Sequence, residues 1–166
     1  NCTEYAMDIA ASEGNIELLD FLHNNRNEGC STDAFIYAVE ENQIEAIEWL
    51  HKNRLEDIPH TIYKKVIDIA IINGDLELTK YLYNIYKNRF DNEDCFNFRV
   101  ISTAISSGNL SLLEWLDDKC KYYSYKETWI AAKKGYNKIL HWLLNNRNSE
   151  TVITKNLIPI YSIYSV

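Results

Sequence analysis

Residues that break a chain, cross-link it or carry it through a membrane are scarce in this sequence. Its 166 residues include only 5 glycines, 2 prolines and 4 cysteines, which excludes a collagenous or low-complexity chain and a disulfide scaffold. No stretch approaches the roughly 18 consecutive apolar residues of a membrane helix, since Asp68 interrupts even the apolar run Val66–Ile72. We therefore expect one globular domain that does not insert into a membrane.

The charge and the cysteine spacing exclude further classes of protein. The net charge of −7 disfavours a nucleic acid as partner, because binding to a phosphate backbone depends on clustered Lys and Arg. Cys2, Cys30, Cys95 and Cys120 form no C-x-x-C pair and no zinc-finger spacing with histidine. We therefore expect no bound metal, and reduced thiols in an intracellular, cytoplasmic protein. The chain opens at Asn1 inside the repeating pattern described next, which predicts a piece of a longer protein.

The sequence repeats itself with a period near thirty residues. Five units share an alanine followed four positions later by glycine or asparagine: Ala10/Gly14, Ala38/Asn42, Ala70/Gly74, Ala104/Gly108 and Ala131/Gly135. We call these positions the anchor alanine and the glycine slot. Seven positions past the slot comes an aromatic column (Phe21, Trp49, Tyr81, Trp115, Trp142), and eight past it a leucine (Leu22, Leu50, Leu82, Leu116, Leu143). Such agreement indicates stacked structural units.

Each unit is predicted to form two helices joined at the glycine slot. Apolar residues recur at helical spacing on both sides of it, and glycine or asparagine readily adopts the left-handed conformation that ends a helix. The candidate N-caps are Asn15, Asp75 and Asn109 for the second helices, and Thr3, Thr32 and Ser124 (with Glu127, a capping box) for the first. Five stacked hairpins can bury the apolar face that one cannot, which predicts an all-α helical-hairpin solenoid.

This pattern resembles the ankyrin repeat from residue 3 to about residue 147. The resemblance lies in the small residues and glycine of Ala10–Gly14 and Ala131–Gly135, and in the apolar stripe that ends in leucine. It is closest to a divergent subset, as in oomycete, amoebal and giant-virus ankyrin proteins, whose second helix ends like Phe21–Arg26 and Trp49–Arg54. The resemblance implies an ankyrin-like fold that binds a protein partner.

The sequence also departs from the family pattern. The Thr-Pro-Leu-His turn and the closing Gly-Ala-Asp are missing, so we expect irregular loops, with a longer connection over residues 86–98. The predicted boundaries are a repeat domain of residues 1–147, with units of about 3–30, 31–59, 60–89, 90–121 and 122–147, and a C-terminal segment of 148–166. That apolar segment either folds back as a cap, which we favour, or continues into a further repeat or a partner.

The histidines do not indicate catalysis or metal binding. His23 and His51 share one repeat position, but packed helices lie about 8–10 Å apart, whereas both ligands of one zinc ion lie about 2 Å from it. We interpret these two as polar residues near helix ends. No Ser or Cys pairs with His60 or His141 at a suggestive spacing, and no glycine-rich phosphate loop is present. We therefore predict a protein that is not an enzyme and needs no cofactor.

The aromatic column has two interpretations. An exposed column would suit stacking against single-stranded nucleic acid. Because a leucine accompanies it in every unit, we predict that it packs between repeats instead. Arg26, Arg54 and Arg147 also recur at one position, where a cation complements the negative end of a helix.

The candidate partner-binding surface consists of the two residues before each glycine slot, which we call the slot pairs. The family resemblance places them on the concave side of the stack, which partners usually meet. They read Ser12-Glu13, Glu40-Glu41, Ile72-Asn73, Ser106-Ser107 and Lys133-Lys134, and the loop residues expected to flank them are Glu4, Thr32, Lys64, Phe98 and Tyr125. Ile72 and Tyr125 are predicted to be apolar anchors within a polar rim. The alternative is that all these positions are simply solvated.

We therefore predict a scaffold or adaptor that binds a protein reversibly, and the resemblance favours a host–pathogen or viral setting. The predicted partner-binding residues are Glu13, Glu40, Glu41, Ile72, Asn73, Lys133, Lys134 and Tyr125. Two alternatives stay open. One is a structural constituent permanently built into a larger assembly. The other is a binding region that serves a catalytic domain outside this sequence.

Overall fold

The fold consists of α-helices joined in pairs. The computed structural model describes residues 2–26, 29–54, 58–90, 96, 99–120 and 126–146. These residues form α1 (Cys2–Ser12), α2 (Ile16–Asn25), α3 (Asp33–Glu40), α4 (Ile44–Asn53), α5 (His60–Ile72), α6 (Leu76–Arg89), α7 (Val100–Ser107), α8 (Leu110–Asp117), α9 (Lys126–Lys134) and α10 (Asn137–Asn146). Over this part of the chain there is no β-strand, and the predicted all-α class of ankyrin-like helical hairpins is confirmed. No helix within it is both long enough and apolar enough to cross a bilayer.

The chain divides into two compact units, residues 1–100 and residues 101–166. In the first unit, three hairpins stack through their first helices, with α1 packed against α3 and α3 against α5. Each of these also packs against its own second helix. We call the first helix of each hairpin inner and the second outer. Ala10, Ala38 and Ala70 are fully buried, and their small side chains allow neighbouring helices to approach closely.

The second unit contains α8, α9, α10 and all of α7 except its first residue. Its two hairpins are joined by polar contacts: Ser102 Oγ donates to Glu127 Oε1 at 3.1 Å, and Lys134 Nζ donates to the Ser106 carbonyl at 2.8 Å. The anchor alanine Ala131 is fully buried, as its counterparts in the first unit are. The same hairpin design is therefore used in both units.

Every hairpin turns at its glycine slot. The slot residues all have positive φ: 68° at Gly14, 54° at Asn42, 72° at Gly74, 80° at Gly108 and 71° at Gly135. In the first hairpin the Asn15 amide donates to the Ala10 carbonyl at 2.8 Å, and the Gly14 amide donates to the Ala11 carbonyl at 3.2 Å. This is the Schellman arrangement, which satisfies carbonyls that a helix end leaves unpaired. The predicted left-handed slot is confirmed.

The predicted caps of the outer helices are confirmed at three hairpins. In each, a side-chain oxygen one position past the slot accepts from an amide of the following turn: Asn15 Oδ1 from Leu18 at 3.0 Å, Asp75 Oδ1 from Leu78 at 2.9 Å and Asn109 Oδ1 from Leu112 at 3.1 Å. The other two hairpins place Gln43 and Tyr136 there, and both side chains lie over the slot glycine of the preceding hairpin. The residue directly after the glycine slot thus either caps its own outer helix or covers the turn of the preceding hairpin.

The predicted caps of the inner helices are wrong at two hairpins. Thr3 lies inside α1, which begins at Cys2, and Thr32 makes no capping hydrogen bond. Ser31 does this instead, because its Oγ accepts from the Asp33 amide at 3.0 Å. Ser31 is in turn held by the buried Asp8 of α1, which accepts from its amide at 3.0 Å and from its Oγ at 2.8 Å. Ser124 lies outside the described residues.

The residues eight positions past the slot behave as predicted, since all five leucines are buried. The aromatic column beside them follows the prediction only in part. Trp49 is 9% exposed, its Nε1 donates to Asp20 Oδ1 at 2.5 Å, and its ring meets that of His23 edge-on at 5.4 Å. Packing between repeats is thus confirmed at Trp49, which lies against the preceding outer helix.

Phe21 contradicts the prediction for the column, because it is 59% exposed. Phe21 holds the same repeat position in the first hairpin as Trp49 holds in the second. The remaining three residues of the column, Tyr81, Trp115 and Trp142, are half-buried. The repeat position of a column residue therefore does not by itself determine how exposed its side chain is, because exposure also depends on the neighbouring hairpin.

The connection predicted over residues 86–98 begins later than expected. α6 continues to Arg89, because Ile85 and Tyr86 are buried and extend its apolar face by another turn. Beyond it, Phe96 is buried and stacks on Tyr83 with ring centroids 5.3 Å apart. Residues 91–95 and 97–98 lie outside the described residues, as does the segment 148–166, so the predicted cap stays a prediction.

Replacing Trp49 by alanine should cost about 3–5 kcal/mol of unfolding free energy, because it removes a buried ring and its hydrogen bond to Asp20. Phe21→Ala is the matched control at the same repeat position, and its cost should stay below about 1 kcal/mol. Urea unfolding followed by circular dichroism measures both. Equal costs for the two variants would contradict the assignment of Trp49 to the packing between hairpins.

Substitution of the slot glycines should separate backbone strain from crowding. An alanine at Gly135 would meet no atom within 4 Å, so Gly135→Ala should cost about 1–2 kcal/mol from its positive φ alone. At Gly108 the added Cβ would lie 2.9 Å from Cζ of Tyr136, so Gly108→Ala should cost about 1 kcal/mol more. The same urea titration tests the difference. If Gly108→Ala cost no more than Gly135→Ala, the Tyr136 ring would not constrain the turn.

Candidate partner-binding surface

The inner helices of the first unit leave one face uncovered. In the first unit the side chains five and one positions before the anchor alanine, and two and three positions after it, are exposed except for Ser12 and Ile69, which are half-buried. At 100° per residue these positions fall within about 100° of one another around the helix. They lie opposite the middle of the buried side, which in α1 carries Met7, Ala10 and Ala11. We call this side of the inner helices the inner face.

Four large apolar side chains are exposed on the inner face of the first unit. They are Tyr5 (64% exposed), Ile9 (37%), Tyr37 (38%) and Ile72 (60%), and we call them the apolar row. Tyr5 and Ile9 are one turn apart on α1, and Ile9 and Tyr37 hold the same position on adjacent inner helices. Because α1, α3 and α5 pack side by side, the row crosses all three helices. Exposed apolar side chains in a contiguous set are typical of interaction surfaces.

The slot pairs lie at the C-terminal ends of the inner helices of both units. Glu13, Glu40, Glu41, Ile72, Asn73, Lys133 and Lys134 are exposed, whereas Ser12, Ser106 and Ser107 are half-buried. Two of the expected flanking loop residues are helical instead, because α1 and α5 begin earlier than predicted and include Glu4 and Lys64. Tyr125 and Phe98 lie outside the described residues. Exposure of the slot pairs permits binding, and their role stays a prediction.

The inner face is acidic over the first two hairpins. Glu13, Asp33, Glu40 and Glu41 are exposed on it, and neither α1, α3 nor the slot after each contains a Lys or Arg. The first lysines on an inner helix are Lys64 and Lys65 of α5. Four carboxylates without a neighbouring cation on these helices make this part of the surface electrostatically negative.

The inner helix of the last hairpin is different in character. Lys133 and Trp129 are both exposed on α9, and the Lys133 ammonium lies 4.9 Å from the centre of the Trp129 ring, a cation–π contact. Lys134 lies 5.8 Å from the Tyr136 ring centre and donates to the Ser106 carbonyl. Lys134 therefore takes part in holding the last two hairpins together, a role that its sequence position does not reveal.

A buried tyrosine joins four helices of the first unit, and sequence reasoning missed it. Tyr63 of α5 is fully buried, with its hydroxyl 3.1 Å from Nδ1 of His51 on α4 and 3.4 Å from Nη1 of Arg89 on α6. Its ring meets those of Phe35 on α3 and Phe90 edge-on at 5.1 and 5.7 Å. His51 is thus a hydrogen-bonded residue near a helix end, as the sequence predicts.

The electrostatics of this cluster favour neutral groups. Burial lowers the pKa of His51, and the nearby Arg89 charge lowers it further. Burial raises the pKa of Tyr63, which the hydrogen bond and charge of Arg89 partly offset. At neutral pH the cluster therefore contains a neutral imidazole, a neutral phenol and one guanidinium, an arrangement that stabilises the packing of α4, α5 and α6.

Arg54, one of the arginines that recur near the ends of three outer helices, has a contact that the helix dipole does not explain. The Arg54 guanidinium lies against Gly29 and Cys30, in the connection that precedes α3. Burial raises the pKa of the Cys30 thiol, and the Arg54 charge partly offsets this effect. Cys30 and Cys120 are free thiols. Among the described residues, no three His, Cys, Asp or Glu side chains converge as a metal site requires.

Stacked helical hairpins whose inner helices pack side by side and leave one face exposed define a helical-repeat protein. Residues 2–51, which contain α1, α2, α3 and most of α4, match the family model described as ankyrin repeats in many copies. The first two hairpins are therefore similar to ankyrin repeats, as the sequence predicts. No curated protein and no solved structure matches the chain significantly. Ankyrin repeats generally mediate protein–protein interaction, and the family is generally non-catalytic.

The apolar row could have been found in part from the sequence. The position before the anchor alanine is Ile9, Tyr37, Ile69, Thr103 and Ile130, so it is apolar in four of five units. Ordinary periodicity assigns such a position to the core. A second apolar stripe on a helix whose core side already carries Met7, Ala10 and Ala11 indicates an exposed apolar face instead.

The lowered pKa of His51 predicts a specific loss of stability in acid. In the unfolded chain the pKa of His51 has the ordinary value of 6.5, so the unfolded chain takes up the proton before the folded chain as the pH falls. The contribution of neutral His51 to the free energy of unfolding is therefore present above that pH and is lost as the pH falls below it. His51→Gln keeps a hydrogen-bond partner for Tyr63, and it should reduce the fall in urea midpoint between about pH 7.5 and about pH 5.5. His141→Gln, an exposed control on α10, should leave that fall unchanged. An unaltered fall in the His51 variant would contradict the assignment.

Proposed function

We propose that this chain is a non-catalytic scaffold or adaptor that binds a protein partner on the inner face of its repeats. The apolar row is the observation that carries the proposal, because it exposes four large apolar side chains on adjacent helices whose opposite sides are fully packed. Such side chains gain from burial against a partner, at about 25 cal/mol per Å² of apolar surface. The family supports the same class of function, since ankyrin repeats generally bind proteins.

The slot pairs contribute the polar part of the proposed surface. Glu13, Glu40, Glu41, Ile72 and Asn73 lie at the C-terminal end of the inner helices of the first unit, where the apolar row reaches Ile72. Lys133 and Lys134 of the second unit are also proposed as contact residues, as is Tyr125, which lies outside the described residues. An apolar centre with a polar rim is the usual composition of a protein interface. Because the helices hold these residues in place, little conformational entropy is lost on binding.

The setting proposed for this activity is an interaction between a host and a pathogen or virus, in the cytoplasm. It is supported by the resemblance of Phe21–Arg26 and Trp49–Arg54 to the divergent subset of ankyrin proteins. The second candidate function is a permanent constituent of a larger assembly, which the exposed apolar side chains also favour. A permanent constituent expressed alone should form large species in size-exclusion chromatography, whereas a reversible adaptor should elute as a stable monomer.

Affinity capture with two matched variants tests the binding face. Ile72 and Phe21 are almost equally exposed, at 60% and 59%, but Ile72 belongs to the inner face and Phe21 to an outer helix. Ile72→Gln should reduce the amount of a captured partner about fivefold or more, as expected for loss of an apolar anchor, while Phe21→Gln should retain it. Quantitative mass spectrometry of the captured proteins gives the ratio. Loss of capture in the Phe21 variant alone would contradict the proposed face.

A further inference from the structure

The acidic part of the inner face lies where negative charge is unfavourable for the fold. Glu13 follows α1 directly, Glu40 ends α3, and Glu41 is the C-cap of α3. The C-terminal end of a helix carries partial negative charge, which favours cations and disfavours carboxylates. The last turns of α1 and α3 contain no basic residue to compensate. These three carboxylates therefore lower the stability of the free chain, which suggests that they are kept for binding.

The negative charge of the inner face and the apolar row of the first two hairpins together favour one kind of ligand. Glu13, Asp33, Glu40 and Glu41 border Tyr5, Ile9 and Tyr37 on the same face of α1 and α3. A nucleic acid or an anionic membrane surface would be repelled by these carboxylates. A neutral apolar partner would leave the carboxylates unpaired at its edge. A segment that combines Lys or Arg with apolar side chains satisfies both features.

On this basis we infer that the inner face of the first two hairpins binds a basic, amphipathic segment of a protein partner. The inference rests on the proposed function and adds the chemistry of the ligand. The apolar side chains of the segment contact Ile9 and Tyr37 across the two packed inner helices, and its cations pair with Glu40, Glu41 and Glu13. Packed helices lie about 8–10 Å apart, so a segment of about three helical turns spans α1 and α3.

Synthetic peptides test the inference directly. The probe is an amphipathic peptide of about 14 residues with one lysine face and one leucine face. Two control peptides have the same design, one with glutamate in place of lysine and one with serine in place of leucine. We expect the Lys/Leu peptide to bind at least about tenfold more tightly than either control, in isothermal titration calorimetry at low salt, and to weaken as salt screens the charges.

Two double variants distinguish binding of the Lys/Leu peptide at this site from its general electrostatic attraction to an acidic protein. E40Q/E41Q and E45Q/E48Q each remove two exposed carboxylates, the first pair from the inner face and the second from the outer helix α4. E40Q/E41Q should weaken binding of the Lys/Leu peptide about fivefold or more, while E45Q/E48Q should change it by less than about twofold. The urea midpoint of E40Q/E41Q should stay equal to or above that of the parent chain, so weaker binding will not reflect unfolding. Tyr37→Ser should also weaken binding, without altering its salt dependence.

Three results would overturn the inference. Equal weakening by both double variants would show attraction to net charge alone. Absence of binding by the Lys/Leu peptide, with capture still lost in Ile72→Gln, would leave the proposed function standing and refute the basic ligand. Sedimentation showing self-association of the parent chain that E40Q/E41Q abolishes would assign the face to a second copy of this chain.

Discussion

The left-handed turn at the glycine slot is the constraint on which the rest of the structure depends. In one step it ends the inner helix, pairs the carbonyl of the anchor alanine and reverses the chain so that the outer helix packs back. Asparagine takes this role at Asn42, because it tolerates positive φ better than other residues with a side chain. The alanine four positions earlier stays small because the next inner helix packs against it. The spacing of these two residues is therefore a structural requirement.

Each inner helix that this turn ends has two sides with different roles. One side carries small or apolar residues into the stack, and buried polar contacts such as that between Asp8 and Ser31 align neighbouring hairpins. The residues on the other side are mostly exposed, so packing constrains them less. In the first unit that side combines Tyr5, Ile9 and Tyr37 with several carboxylates. A rigid scaffold and an adaptable face are the general basis of binding by helical repeats.

The perturbed pKa values of His51 and Tyr63 have a structural explanation. Two of the groups with perturbed pKa values, His51 and Tyr63, lie in a cluster with Arg89 that joins α4, α5 and α6, and the fully buried Tyr63 ring fills the centre of that cluster. Perturbed pKa values can indicate an active site, but structural networks produce them as well. Here burial accounts for both perturbations, and the Arg89 charge adds to that of His51 and partly offsets that of Tyr63. The exposed apolar row of the first unit is the part of the structure on which the proposed interface rests.

The sequence alone determined the architecture, because the signals that specify it are local. Anchor alanine, glycine slot, outer-helix caps such as Asn15 and Asp75, and the buried leucine column lie within one hairpin, and each was read correctly. The tertiary structure alone decided which equivalent positions are buried and which are exposed. Trp49 and Phe21 share one repeat position, yet a neighbouring helix covers only the first of them. The Tyr63 cluster and the apolar row likewise join residues far apart in the chain, and burial depends on what packs alongside, which no local pattern contains.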